Sequence, residues 1–208
     1  PSYRMRSLTP PITLPPEPYM PASIGMPTAN CGAKRNVASG QVKRVIGGVL
    51  QASVKHEDLV QPGDTIRTGR TGRVLLRRGE ETILVSPNSV VGVPARKQEG
   101  LSTTIVQQAG SILLEVEKRN VQHFEVETPY LAAVVKGTQF RVTIDAGKTS
   151  VDVIRGQVHV ADFKTGQIAQ VMAGQHASAF ASGKSGLSLG GAGTFSPIEQ
   201  GKPRAPSV

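Results

Sequence analysis

The feature that most constrains this chain is a period of two. Apolar and polar residues alternate through 111–117 (SILLEVE), 123–128 (HFEVET), 139–145 (QFRVTID), 150–154 (SVDVI) and 157–162 (QVHVAD). Side chains of a strand point alternately to opposite faces, so such runs make half-buried strands rather than one face of a helix. Turn residues punctuate the runs about every ten residues: Pro62-Gly63-Asp64, Gly69, Gly72, Gly79, Pro87-Asn88, Gly110, Gly137, Gly147, Gly156, Gly166 and Gly174. Gly and Asn supply the positive φ or the bulge that reverses a chain. The pattern predicts an all-β domain over 37–181, a twisted stack of short strands that is either solenoid-like or a sandwich. A loose V-x-x-G-x-V-x-V recurrence, clearest at Val153–Val160, suits a stacked meander. A single helical turn is expected near Pro129–Ala133.

The flanks read differently. Eight of the 15 prolines fall in residues 1–27, and proline fixes φ and removes a backbone donor, so residues 1–36 form an extended arm rather than a helix or central strand. Apolar residues recur along it at Tyr3, Leu8, Ile12, Leu14, Tyr19, Met20 and Ile24. That spacing fits an arm lying on a partner, the alternative being an inert linker. Residues 182–208 are rich in Gly, Ser and Pro and are expected to be a flexible tail.

Composition removes several functions. No apolar run approaches the roughly 18 residues of a membrane span. One cysteine excludes an internal disulfide framework, and no Cys/His cluster has zinc spacing. The net charge of +9 is spread over arm, core and tail as +3, +4 and +2, and there is no recognition helix or aromatic platform, so nucleic acid is not expected.

Little in the core carries chemistry. His56, His123, His159 and His176 are scattered and read as surface or edge-strand residues. Glu57-Asp58 and Glu80-Glu81 read as solvated hairpin ends. No serine sits in a G-x-S-x-G elbow. Arg67, Arg70, Arg73, Arg77 and Arg78 could form a basic ridge for an anionic partner such as peptidoglycan or another anionic glycan. Equally, they could protect an exposed sheet edge from aggregation. Gly137-Thr138 lacks the flanking glycines and helix of a phosphate loop and reads as a turn or bulge that re-aims the strand beginning at Phe140. Cys31 lacks a large aliphatic residue in the preceding Pro27–Asn30, which disfavours lipidation and leaves a free thiol or a bridge to a partner chain. No catalytic residue, metal or cofactor is expected.

An ordered set of motifs resembles the FecR-type domain family. Its parts are Leu59–Gly69 (LVQPGDTIRTG) with Gly72-Arg73-Val74-Leu75-Leu76, Phe124–Pro129 (FEVETP), and Ala133–Val142 (AVVKGTQFRV). Gly156-x-Val158-x-Val160 and Ala173-Gly174-Gln175 follow in order, so the resemblance spans about residues 41–180. In it Gly63, Asp64, Gly137, Thr138, Phe140, Gly156 and Gly174 hold structural positions. The resemblance implies a periplasmic β-domain; in regulators of siderophore uptake such a domain follows a membrane helix and a cytosolic sigma-binding segment. Here a Pro-rich arm precedes it and a Gly/Pro tail follows. The expectation is therefore a stand-alone, exported member whose signal peptide has been removed. It would be a non-enzymatic structural or adaptor subunit of an envelope assembly of flagellar-motor, secretion or surface-filament type, partnered by other subunits and copies of itself. The alternative is the periplasmic sensory module of a FecR-like anti-sigma or transmembrane signalling regulator.

Overall fold

The structure is a computed structural model and describes residues 37–39, 42–46, 49–53, 59–95, 101 and 103–207. The arm residues from Tyr3 to Ile24, Cys31, His56 and Glu57-Asp58 lie outside them. The described residues contain strands, turns and no helix. In chain order the first strands are β1 (Val37–Ser39), β2 (Val42–Ile46), β3 (Val49–Ser53), β4 (Asp64–Thr68), β5 (Arg73–Arg78) and β6 (Glu81–Val85). Next come β7 (Val90–Gly92), β8 (Thr103–Glu115), β9 (Phe124–Glu127), β10 (Leu131–Val135), β11 (Gln139–Asp145) and β12 (Lys148–Arg155). The last are β13 (Gln157–Asp162), β14 (Gln167–Met172), β15 (Gln175–Phe180), β16 (Ser188–Gly191) and β17 (Glu199–Gln200).

These strands form two curved layers joined through one strand, a half-barrel rather than a coil of repeats. The first layer runs β1-β5-β6-β8-β11-β12-β15-β16, all antiparallel. The second runs β3-β2-β4-β7-β8-β9-β10-β13-β14-β17, antiparallel except for β8 with β9. The shared strand β8 pairs with β7 and β9 through its first half and with β6 and β11 through its second.

Gly110 sits at that change of layer with φ +81°. A Cβ there would lie 2.6 Å from Ser89 Cα, so the bend requires a residue with neither Cβ nor a preference for negative φ. The fully buried Ser89 secures the bend, its Oγ accepting from Ser111 N–H at 3.0 Å and its N–H donating to Thr68 Oγ1 at 2.8 Å.

The alternation read in the sequence becomes burial. Phe140, Val142, Val151, Val158, Val160, Ile112 and Leu114 are all fully buried in a core cluster drawn from both layers. Each such side chain contributes about 1.5–3 kcal/mol.

Two segments depart from the sequence reading. No helical turn forms at Pro129–Ala133. Thr128 Oγ1 instead accepts from Leu131 N–H at 3.1 Å and donates to its carbonyl at 2.7 Å, closing a tight turn between β9 and β10. The tail after 181 is tied to the domain through β16, β17 and the buried Leu187, whose N–H donates to Gln167 Oε1 at 2.9 Å.

Candidate functional site

A groove with charged side chains in its walls opens at one end of the first layer, beside the β5–β6 turn. Its volume is about 640 Å³, and its walls come from Gly79, Glu80 and Thr82, from Glu115 to Lys118, and from Gly137, Arg155 and Gly156, with Arg77 at the rim.

Strand register explains the charge pattern. Arg77 pairs with Thr82, Thr82 with Glu115, Glu115 with Gln139 and Gln139 with Arg155, one row across five strands. Side chains of one such row share a face. Arg155 reaches across Gln139 to Glu115 at 2.8 Å. Both are exposed, and a pair of this kind is worth about 0–1 kcal/mol. The row is thus a surface of alternating charge whose stabilising value is small.

The floor is built by close backbone approach. Segment 116–119 runs over the β10–β11 turn, with Val116 N–H donating to the Thr138 carbonyl at 3.0 Å and Arg119 N–H to the Lys136 carbonyl at 2.6 Å. A Cβ on Gly137 would stand 2.2 Å from Lys118 Cα, and its φ is +151°. Thr138 is buried and its hydroxyl donates to the Gln157 carbonyl at 2.8 Å. The register of β11 against β12 shifts between Gln139 and Phe140, leaving Ile154 as the extra residue of a bulge.

Behind the β5–β6 turn lies a charge cluster. Glu81 is 4% exposed; its Oε2 accepts from Arg78 Nε at 3.0 Å, and its Oε1 faces His123 Nε2 at 3.4 Å. Arg78 also donates to Thr103 Oγ1, and Arg119 pairs with Glu117 at 3.1 Å. The sequence placed Glu81 and His123 at the surface. Arg78, three residues before Glu81, was the local signal of a pair, but Thr103 and His123 come from distant segments.

The five arginines do not converge. Arg67 lies on β4 in the second layer, beside Lys43. Arg70 occupies the turn after β4, Arg73 and Arg77 lie exposed on β5 in the first layer, and Arg78 turns toward Glu81. Asp64 is structural: its Oδ2 accepts from Gln61 N–H at 2.6 Å and from Arg44 at 2.8 Å, closing the Gly63 turn and tying β4 to β2. Phe140 is fully buried, and Gly174 takes φ +80° while its N–H donates to the Val153 carbonyl at 2.9 Å. Among the described residues no group of three His, Cys, Asp or Glu could hold a metal ion.

Residues 64–159 match the model of the FecR family, described as FecR protein. Over these residues the chain is similar to FecR domains. Two crystal structures of a candidate anti-sigma factor from Parabacteroides distasonis ATCC 8503, at 1.65 and 2.50 Å, share its fold. Each has 13% identity and a TM-score of 0.52, over 61% of this chain and 59% of the other. The chain therefore spans about three-fifths of the length of the solved structures it matches. Comparison with curated protein sequences finds no match. The FecR match corrects the expectation of a structural or adaptor subunit, since it points to the signalling alternative. Among the described residues no helix is long and apolar enough to cross a membrane.

Proposed function

We propose that the chain is the periplasmic sensory module of a FecR-like transmembrane signalling regulator, and that it acts by binding rather than by catalysis. The observation that carries this reading is the FecR match over residues 64–159. The fold shared with the candidate anti-sigma factor supports it. The groove supports it too. Its charges lie in an exposed row on a rigid sheet, the arrangement of a surface that recognises a polar partner.

The test is transcriptional. Deleting the gene in the bacterium that encodes it should shift a small set of transcripts by about fivefold or more, the scale of ordinary regulatory coupling. The chain with Lys118→Glu and Arg155→Glu should accumulate normally and fail to restore them. Transcripts that stay at wild-type level in the deletion strain under every condition in which the protein is expressed would overturn the reading.

A further inference from the structure

The second layer carries an acidic seat on its outer face that the FecR resemblance does not assign. In HFEVET the alternation predicts Phe124 and Val126 inward with Glu125 and Glu127 in water, yet both glutamates are 1% exposed. What covers them is the chain's own C-terminal segment, residues 201–207. Arg204 meets Glu125 Oε1 at 2.5 Å, and Ser207 N–H donates to Glu127 Oε1. The Arg204 guanidinium also stands 4.9 Å from the Phe163 ring centre, and its backbone N–H donates to the Phe163 carbonyl at 3.2 Å. The segment enters over the β13–β14 turn, where Gly201 N–H donates to the Gly166 carbonyl at 2.9 Å. There a Cβ on Gly166 would strike the Lys202–Pro203 peptide at 2.6 Å.

We propose that Glu125, Glu127 and Phe163 form a binding site for an extended peptide bearing arginine and proline. Residues 201–207 (GKPRAPS) fill it in cis as an exchangeable occupant. Three observations carry this. The occupant is an irregular segment held by side chains and by two isolated backbone hydrogen bonds, from Gly201 and Arg204, with no ladder along 201–207. Pro203 and Pro206 keep such a segment extended, so little order is lost when it docks. The cis occupant also leaves the site incompletely used, because Glu125 Oε2 is buried and has no hydrogen-bond partner among the described residues. A guanidinium offers two parallel donors to a carboxylate, and Arg204, held at its own backbone by Phe163, reaches only one oxygen. A peptide free to place its arginine can engage both. The inference stands on this geometry and does not depend on the signalling reading.

The test is fluorescence-anisotropy binding of a labelled GKPRAPS peptide to the full chain and to full chains carrying Arg204→Ala or both Arg204→Ala and Glu125→Gln. Tethering gives the cis segment a high effective concentration, so the wild type should bind the free peptide weakly. Arg204→Ala should bind it about tenfold more tightly, because the competent open state is more populated. Adding Glu125→Gln should abolish that gain. A GKPAAPS peptide should bind none of the three. Equal affinity of wild type and Arg204→Ala would overturn the proposal, as would tight binding that survives Glu125→Gln. Circular dichroism and thermal melting of each variant separate loss of the site from loss of fold; a variant that unfolds is replaced by Glu127→Gln, for which the same loss is expected.

Discussion

Within the FecR match, β11 is joined to β8 over six residue pairs and to β12 over seven. Beyond residue 181 the longest ladder is the four pairs of β15 with β16, and β14 with β17 has two. Besides these short ladders and a few isolated backbone bonds, the later segment is held by side chains that reach out from the domain. Gln167 accepts from Leu187 N–H, and Gln175 Nε2 donates to the carbonyls of Ala192 at 3.2 Å and Thr194 at 3.0 Å. Glu125 and Glu127 receive Arg204 and Ser207. A ladder needs only an extended chain with the right pattern, so many sequences can form it. A side-chain tie needs one residue type at one position, and it can be undone singly without disturbing the sheet.

The hardest way to break this contrast is to strike the region of ladders. Phe140 is fully buried between the layers, and Phe140→Ala should cost about 3–5 kcal/mol, transfer and cavity effects together. Denaturant unfolding should show one earlier transition, with core and C-terminal signals moving together because the later segment has no core of its own. Two separated transitions would show that the two regions fold independently.

A smaller and more selective change is Gln175→Ala. Its Oε1 accepts from Met172 N–H at 3.0 Å while Nε2 makes the two carbonyl contacts, so the loss should be about 1–3 kcal/mol. Hydrogen exchange is the informative measurement. Amides of 187–194 should exchange faster while those of β11 and β12 keep their protection. Equal loss of protection in both regions would erase the distinction between ladder and tie.

The same distinction decides what was legible in the sequence. QFRVTID is β11 to the residue, and SVDVI and QVHVAD fall inside β12 and β13, because a ladder strand reports its own burial in its alternation. The Gly110 bend and the Gly137 crossing were visible as turn glycines, although the sequence could not say that the first marks a change of layer and the second the floor of a groove. Glu81 reads as solvated, and Glu125 and Glu127 as the polar face of HFEVET, because the residues that cover them are remote: His123 lies 42 positions from Glu81, and Arg204 lies 79 from Glu125. The tail was read as flexible for the same reason. Its Gly, Ser and Pro composition describes a segment with no regular structure of its own and is silent about the glutamines and glutamates that hold it. Of the arginine run, Arg73 and Arg77 share an exposed face of β5, whereas Arg67 lies on β4 in the other layer and Arg78 turns toward Glu81.

The smallest expected effect tests the groove rather than the fold. Arg155 and Glu115 form a 2.8 Å pair whose side chains are 68% and 46% exposed, so water and salt compete for both. In a double-mutant cycle with Arg155→Ala and Glu115→Ala the coupling should be about 0.2–1 kcal/mol at low salt and should fade as the screening length falls toward about 3 Å at 1 M. A coupling above about 2 kcal/mol that resists salt would make the pair a structural tie like that of Gln175, and the groove's charges would then be explained by stability alone. A weak, salt-sensitive coupling gives the opposite result. The Arg155–Glu115 pair would then contribute almost nothing to folding, as the recognition surface proposed above requires.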